Sequence, residues 1–124
     1  MNEKKYTKEH EWIEIKDDIA VIGITNHAQE SLGDIVFVEL PKIGINVNSG
    51  NEISVIESVK AASDIYSPID GDVVEVNNNL TDDASIINKD AEKDGWIFKL
   101  KVKDSTQINS LMTLDEYNNF LKDE

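Results

Sequence analysis

Residues 55–68 read Val55-Ile-Glu-Ser-Val-Lys-Ala-Ala-Ser-Asp-Ile-Tyr-Ser-Pro68, with Lys60 at the centre of a short polar break between two strand-like segments. This arrangement predicts a β-hairpin that presents Lys60 at its tip. A lysine in such a place keeps its ammonium in water on a flexible four-carbon stem, so a modifying enzyme can reach the amine. The stretch therefore predicts a carrier, a protein that presents a group attached to Lys60.

The composition limits the chemistry that the chain supplies by itself. It contains no cysteine, so any sulfur redox chemistry must come from an attached group. The 124 residues suffice for one domain with a buried core, and we expect a single carrier domain over residues 1–124 with flexible termini. We find no signal peptide and no run of membrane-spanning length. We expect a soluble protein without a membrane partner, cytoplasmic in a bacterium, or in the mitochondrial matrix if this is a mature eukaryotic form.

The net charge of the chain indicates which classes of partner it can bind. Lysines and arginines number 12, all of them lysines, against 25 acidic residues, and the net charge is −13. A polyanion would be repelled by this field, and the planar guanidinium forks that grip phosphates are missing. We therefore expect no nucleic-acid partner, and basic surfaces on other proteins are the better candidates.

A period of two dominates the apolar pattern and predicts short strands. Turn-forming residues punctuate these strands, which favours a compact sandwich or barrel over a parallel sheet with crossover helices. The predicted strands cover 12–15, 19–24, 35–40, 53–56, 73–76 and 96–102. The repeat of Gly33-Asp-Ile-Val-Phe-Val38 in Gly71-Asp-Val-Val-Glu-Val76 suggests two similar halves on either side of Lys60.

Two short helices are predicted. The first runs from about His27 to Leu32, with Asn26 as its N-cap and Gly33 after its end. The second runs from Leu114 to about Lys122 and begins with a capping box that Thr113 and Glu116 form. Its apolar residues fall on one face, which can dock on the sheet.

The two histidines do not form a metal site in the sequence pattern. His10 and His27 are far apart, and neither has a partner at ligand spacing. We expect His10 beside Trp12 at the start of a strand, and His27 in the first turn of the first helix. No residue is assigned a catalytic role.

Several stretches together resemble the glycine cleavage system H protein family, from about Tyr6 to Leu121. The segment Glu57-Ser-Val-Lys-Ala-Ala-Ser-Asp64 is similar to the lipoylation site of that family. The other similar stretches are His10-Glu-Trp12, Gly23-Ile-Thr-Asn-His-Ala-Gln29, Leu32-Gly-Asp-Ile-Val-Phe-Val-Glu-Leu-Pro41, Pro68-Ile-Asp-Gly71, Val74-Glu-Val-Asn77, Ile87-Asn88 and Gly95-Trp-Ile-Phe-Lys99.

The resemblance implies a mostly β fold, the barrel-sandwich hybrid of lipoyl and biotinyl carriers, with short helices that include a C-terminal one. It implies a lipoyl group on Lys60, a swinging arm of roughly 14 Å. It also implies that the arm takes an aminomethyl group from the pyridoxal-phosphate-dependent glycine decarboxylase to the tetrahydrofolate-dependent aminomethyltransferase, and is reoxidised by dihydrolipoamide dehydrogenase. The protein would then be a monomeric carrier and not an enzyme, loaded with lipoate by an attaching enzyme.

The resemblance also names acidic neighbours of the lysine. Glu57 and Asp64 match points at which an attaching enzyme recognises such hairpins, and Glu11 and Asp64 match residues proposed to contact the loaded arm. Biotin carriers normally place methionines where this chain has Val59 and Ala61, so lipoate is favoured over biotin.

Other functions remain open from the sequence. A lipoyl domain of a 2-oxoacid dehydrogenase is usually part of a longer chain, so it is disfavoured. A lipoyl or octanoyl donor or relay in lipoate assembly, and an unmodified interaction module that has lost the cofactor, remain as alternatives.

Overall fold

A computed structural model describes residues 3–123, and the predicted flexible termini lie outside the described residues at 1–2 and 124. All strand pairs are antiparallel. The strands are β1 (Glu3–Tyr6), β2 (Glu11–Lys16), β3 (Ile19–Ile24), β4 (Ile35–Glu39), β5 (Asn46–Val47), β6 (Glu52–Ser58), β7 (Ala62–Tyr66), β8 (Gly71–Val76) and β9 (Phe98–Val102). The helices are α1 (Asn26–Leu32), α2 (Asn79–Asp82), α3 (Ile86–Asp90) and α4 (Leu114–Asp123), and a 3-10 helix covers Ser105–Ser110.

The strands form two sheets. Six strands make the larger sheet in the order β1-β2-β3-β9-β8-β5, and β4-β6-β7 make the smaller one. Strands β6 and β7 are the predicted hairpin, with Lys60 in the connection between them. The mostly β prediction is confirmed.

The inner faces of both sheets supply one apolar core. Ile22 and Leu100 of the large sheet and Ile56 of the small sheet are all completely buried in it. Leu100 alternates with Lys99 and Lys101, as a strand with one buried face requires. The core therefore fixes the small sheet, and with it the hairpin, against the rest of the molecule.

The C-terminal helix docks as predicted. Thr113 N donates to Glu116 Oε1 at 2.9 Å and Glu116 N donates to Thr113 Oγ1 at 3.2 Å, which is the predicted capping box. Tyr117 of α4 is buried and stacks on Tyr6 with 4.9 Å between ring centroids. This second cluster covers the outer side of β1 and β2 near Trp12.

The first helix was predicted with the wrong cap. Thr25, and not Asn26, is the N-cap, since its hydroxyl accepts from Ala28 N at 3.2 Å while Asn26 is already helical. Gly33 follows the helix as predicted, with φ of 82°. The short helices α2, α3 and the 3-10 helix were not predicted. No helix in the described part of the chain is long and apolar enough to cross a bilayer.

The two copies of the repeat have the same irregularity. The register of β4 against β6 shifts between Ile35 and Phe37, and that of β8 against β9 shifts between Val73 and Glu75. These are equivalent positions of the repeat, so residues 35–38 and 73–76 share the same irregularity in their strands.

Candidate functional site

The turn that carries Lys60 is held by hydrogen bonds of its own and by one to a neighbouring segment. Ser58 N donates to Ala61 O at 2.7 Å, and Ser58 Oγ accepts from Lys60 N at 3.3 Å and Ala61 N at 3.1 Å. Val59 N donates to Asp34 O at 3.0 Å, just before β4. The backbone at the tip is therefore fixed at both ends of the turn and from the side.

The side chain of Lys60 is exposed at this fixed tip. A Cβ built on Gly33 would lie 3.6 Å from Lys60 Cε, so the lysine stem extends past the end of α1. No carboxylate within residues 3–123 forms an ion pair with its ammonium. The amine is thus accessible, and no ion pair must be broken when it is acylated.

Glu57 and Asp64 lie on the outer face of the small sheet, and both are exposed. Glu57 is paired with Ala62 and Asp64 with Val55 across β6 and β7. Neither lines a cleft described below. Their placement suits contact with another protein better than contact with a bound group.

Glu11 lies elsewhere, at the beginning of β2 in the large sheet, and is 1% exposed. Its Oε2 accepts from Tyr66 N at 2.9 Å, and its Oε1 accepts from Thr7 Oγ1 at 3.0 Å. Burial raises the pKa of Glu11 to about 7, although these two hydrogen bonds oppose the rise. Glu11 therefore changes protonation near neutral pH and connects the two sheets.

Two neighbouring clefts lie between the end of α1 and Glu11. A cleft of about 390 Å³ has Glu11, Glu9 and Tyr66 in its lining. A second one, of about 260 Å³, has Glu9, Leu32 and Ser63 in its lining. Glu9 belongs to both, and Leu32 precedes Gly33, near which the Lys60 stem passes. We call the two clefts together the groove.

Tyr66 is a residue of this groove that the sequence did not single out. Partial desolvation and the carboxylates of Asp64 and Glu52 raise the pKa of its phenol, and Glu9 and Glu11 add to the effect. The phenol therefore stays protonated and available as a donor among carboxylates. Its backbone N is also the partner of Glu11, a contact between residues 55 positions apart that no local pattern reveals.

The two histidines meet in the fold despite their distance in sequence. Their ring centroids are 4.7 Å apart, and His10 Nδ1 lies 2.8 Å from Tyr117 Oη. His27 is in the first turn of α1, as predicted. His10 lies directly before β2, which fits the predicted start of a strand; it has φ of 67°, and its ring packs against Tyr117 and Phe120 of α4. Within residues 3–123, no three acidic or histidine side chains are placed to hold a metal ion.

The chain is similar to known proteins over its whole length. The family model for the glycine cleavage H-protein matches residues 4–124. The glycine cleavage system H protein of Thermotoga maritima is 48% identical over 124 residues, which are all of both chains. That of Escherichia coli O7:K1 is 49% identical over 123 residues, 98% of this chain and 95% of the relative.

The fold agrees with these sequence matches. The crystal structure of a glycine cleavage system H protein from Mycobacterium marinum superposes with a TM-score of 0.89 at 36% identity, covering 97% of each chain. The resemblance found in the motifs therefore extends over the whole described fold. The chain belongs to the glycine cleavage H-protein family.

Proposed function

We propose that this chain is the lipoylated carrier of a glycine cleavage system, with lipoate bound covalently to Lys60. Its arm would move the aminomethyl group of glycine from glycine decarboxylase to the aminomethyltransferase. Dihydrolipoamide dehydrogenase would then reoxidise the arm. The observation that carries the proposal is the exposed Lys60, without an ion-pair partner in the described residues, on a hairpin tip with a fixed backbone.

The surroundings of Lys60 fit this modification. Attachment forms an amide between Nζ and the lipoyl carbonyl, breaks the bond to the activating group and releases a proton. The neutral amide loses the lysine charge, and no described carboxylate is left without its ion-pair partner when this happens. When bound, lipoate supplies a dithiolane that accepts the aminomethyl group on sulfur, chemistry that a chain without cysteine cannot supply.

The chain's own residues would position and shelter the arm. The hydrogen bonds of Ser58 and Asp34 fix where the arm starts. Tyr66, whose backbone N is the partner of Glu11, is six residues from Lys60, about 20 Å at about 3.3 Å per strand residue, so an arm of roughly 14 Å would extend about two thirds of the way toward Glu11. There, carboxylates would favour a cationic amine, and the groove walls would limit access of water.

Glu57 and Asp64 have a different proposed role. Both carboxylates face outward on the small sheet, close to the hairpin tip and outside the groove. They would be recognised by the lipoate-attaching enzyme. Asp64 also contributes to the negative field at Tyr66, so it influences the Glu11 end of the groove without lining it.

The proposed setting follows from the same features. The single domain over residues 1–124 would act as a monomer in the bacterial cytoplasm, with protein partners and no nucleic acid. A net charge of −13 steers it toward basic surfaces on the enzymes that it visits.

Intact mass spectrometry of the chain from its native host tests the attachment. We expect one lipoyl increment on the wild type and none on Lys60→Ala. Lys42→Ala, which removes another exposed lysine, keeps the increment. The loaded wild type should then support glycine–bicarbonate exchange with glycine decarboxylase. An unmodified Lys60 under lipoate-replete conditions would contradict the carrier and favour an interaction module.

A pulldown separates the remaining alternative. Recovery of glycine decarboxylase supports the carrier, whereas recovery of a lipoyl or octanoyl transferase without it supports a relay in lipoate assembly.

The role of the groove is tested on the loaded protein by the lifetime of the bound aminomethyl group. Glu11→Gln should shorten this lifetime, and an unchanged lifetime would remove Glu11 from the proposal.

A further inference from the structure

One apolar surface next to Lys60 is not used by the proposed function. Val59 in the turn is 68% exposed, and Val36 and Phe37 of β4 are 58% and 50% exposed. Val59 N donates to Asp34 O, and Phe37 is the cross-strand partner of Glu57, so all three side chains flank the hairpin tip. We call Val36, Phe37 and Val59 the tip patch.

The tip patch exists because β4 contains a bulge. Ile35 and Val38 point into the core, and the register shift between Ile35 and Phe37 leaves two consecutive residues facing outward. A regular strand would bury every second residue and expose only one of the pair. Bulges re-aim side chains in this way next to functional sites.

The second copy of the repeat shows that the fold does not require an apolar residue there. Val74 and Glu75 of β8 occupy the positions of Val36 and Phe37, at the same register shift. Glu75 extends to solvent and forms an ion pair with Lys99 at 3.4 Å. A charged side chain is therefore compatible with this local structure, and the exposed Phe37 needs another reason.

Carboxylates that lack ion pairs surround the tip patch. Asp34, Glu39 and Glu57 are exposed, and none forms an ion pair with a described residue. In the other half, Asp72 is paired with Lys103 at 3.7 Å. The surface next to Lys60 thus combines an apolar centre with an unneutralised acidic rim, which complements an apolar depression bordered by lysine and arginine.

We propose that the tip patch is the docking surface for the enzyme that acylates Lys60, a protein whose active-site entrance is apolar with a basic rim. The inference rests on the proposed carrier function. A bare lysine side chain extends only about 6 Å, because its five bonds of about 1.5 Å run in a zigzag that advances about 1.25 Å per bond, so the acylating enzyme must contact the residues beside the turn. Enzymes that act on the loaded arm can remain farther away.

The test uses the full chain as acceptor for a purified lipoate–protein ligase with lipoate and ATP. Lipoyl-adenylate gives its acyl group to Nζ, and AMP and a proton are released. Phe37→Ser should lower kcat/KM for the chain about tenfold or more, chiefly by raising KM, because it removes an aromatic side chain that the ligase would bury on docking. The KM for lipoate should not change.

Two variants serve as controls. Val74→Ser removes an exposed valine at the position equivalent to Val36, and it should change kcat/KM less than twofold. Phe37→Leu keeps an apolar side chain and should retain most of the wild-type rate, which separates docking from misfolding. Raising the salt from about 50 to about 300 mM should raise KM for the wild type and raise it less for Glu57→Gln.

The outcomes separate this inference from the carrier proposal. Unchanged kinetics of a folded Phe37→Ser, with acylation still lost in Lys60→Ala, would overturn the docking surface and leave the carrier intact. An equal loss in Val74→Ser would also overturn it, since the effect would not be local. If the wild type is not acylated at Lys60, the carrier proposal fails, and this inference fails with it.

Discussion

Segments 33–38 and 71–76 share a Gly-Asp start, an antiparallel strand and a register shift at the same position. They differ in what they present to solvent. The first presents Val36 and Phe37 beside a hairpin whose carboxylates form no ion pair with a described residue. The second presents Val74 and a Glu75 that Lys99 neutralises. One local structure thus serves a stable sheet in one half and a recognition surface in the other.

The first glycine of each copy also differs in its role between the two halves. Gly33 has φ of 82°, and a Cβ added there would meet only the stem of Lys60, so glycine is required by the backbone conformation. Gly71 is buried, and a Cβ there would lie 2.7 Å from Lys101 O. It is therefore required by the close approach of two strands. The same residue in the two copies of a repeat can therefore be required for different structural reasons.

The largest effect should come from Glu11, which joins the two sheets. Its pKa is raised from 4.5 to about 7 in the folded state, so its contribution to stability is complete below pH 4.5 and is lost as pH rises through 7. Between pH 5 and 8 the wild type should lose on the order of 3 kcal/mol through this group. Glu11→Gln should abolish this loss.

Urea unfolding from pH 5 to pH 8 measures the difference between the two proteins. Groups other than Glu11 are the same in both proteins, so their effects cancel in that difference. The variant should be the more stable protein at pH 8. A difference that does not depend on pH would contradict the perturbed titration of Glu11.

Gly71→Ala should be the next most damaging change. The added methyl would meet Lys101 O at 2.7 Å and Leu100 Cβ at 3.0 Å, so β8 and β9 must move apart. We expect a loss of about 2–3 kcal/mol in the free energy of unfolding, measured with urea. Acylation of Lys60 by the ligase should be unaffected in the folded fraction, and a specific loss there would break the separation of the two halves.

Gly33→Ala should cost about 1–2 kcal/mol, because alanine is strained at φ of 82° and ψ of −151°. Gly44→Ala is the matched control, since Gly44 has φ of 96° and open space around its Cβ position. Both should lose stability, but only Gly33→Ala should also slow acylation of Lys60. Equal acylation rates in the two variants would show that the contact with the lysine stem has no role.

The smallest changes in the free energy of unfolding should come from the surface carboxylates, and they should differ between the two halves. Glu75→Gln breaks the pair with Lys99 and should cost about 0.5 kcal/mol, less at high salt. Glu57→Gln has no described ion pair to break, so its stability should remain within about 0.3 kcal/mol of the wild type. A loss in Glu57→Gln equal to that in Glu75→Gln would reveal a structural role for Glu57.

Features that depend on near neighbours along the chain could be predicted from the sequence. Alternating apolar residues gave the strands, because a pleated strand with one buried face needs a period of two. Thr113 and Glu116 gave the start of α4, because their mutual hydrogen bonds span only three residues. The motif around Lys60 gave the candidate attachment site. The strand predicted over 96–102 begins two residues too early, since Trp96 and Ile97 precede β9.

Features that depend on distant partners could not be predicted, because they follow from how the segments pack in the folded chain. The choice of Thr25 over Asn26 as a cap follows from how α1 meets the sheet, and Thr25 Oγ1 lies 2.8 Å from Tyr117 Oη, 92 residues away. The burial of Glu11 by Tyr66 and the exposure of Phe37 by a bulge have the same origin. Local patterns fix which residues can face the core, whereas burial, pKa and exposure depend on which segments pack against them.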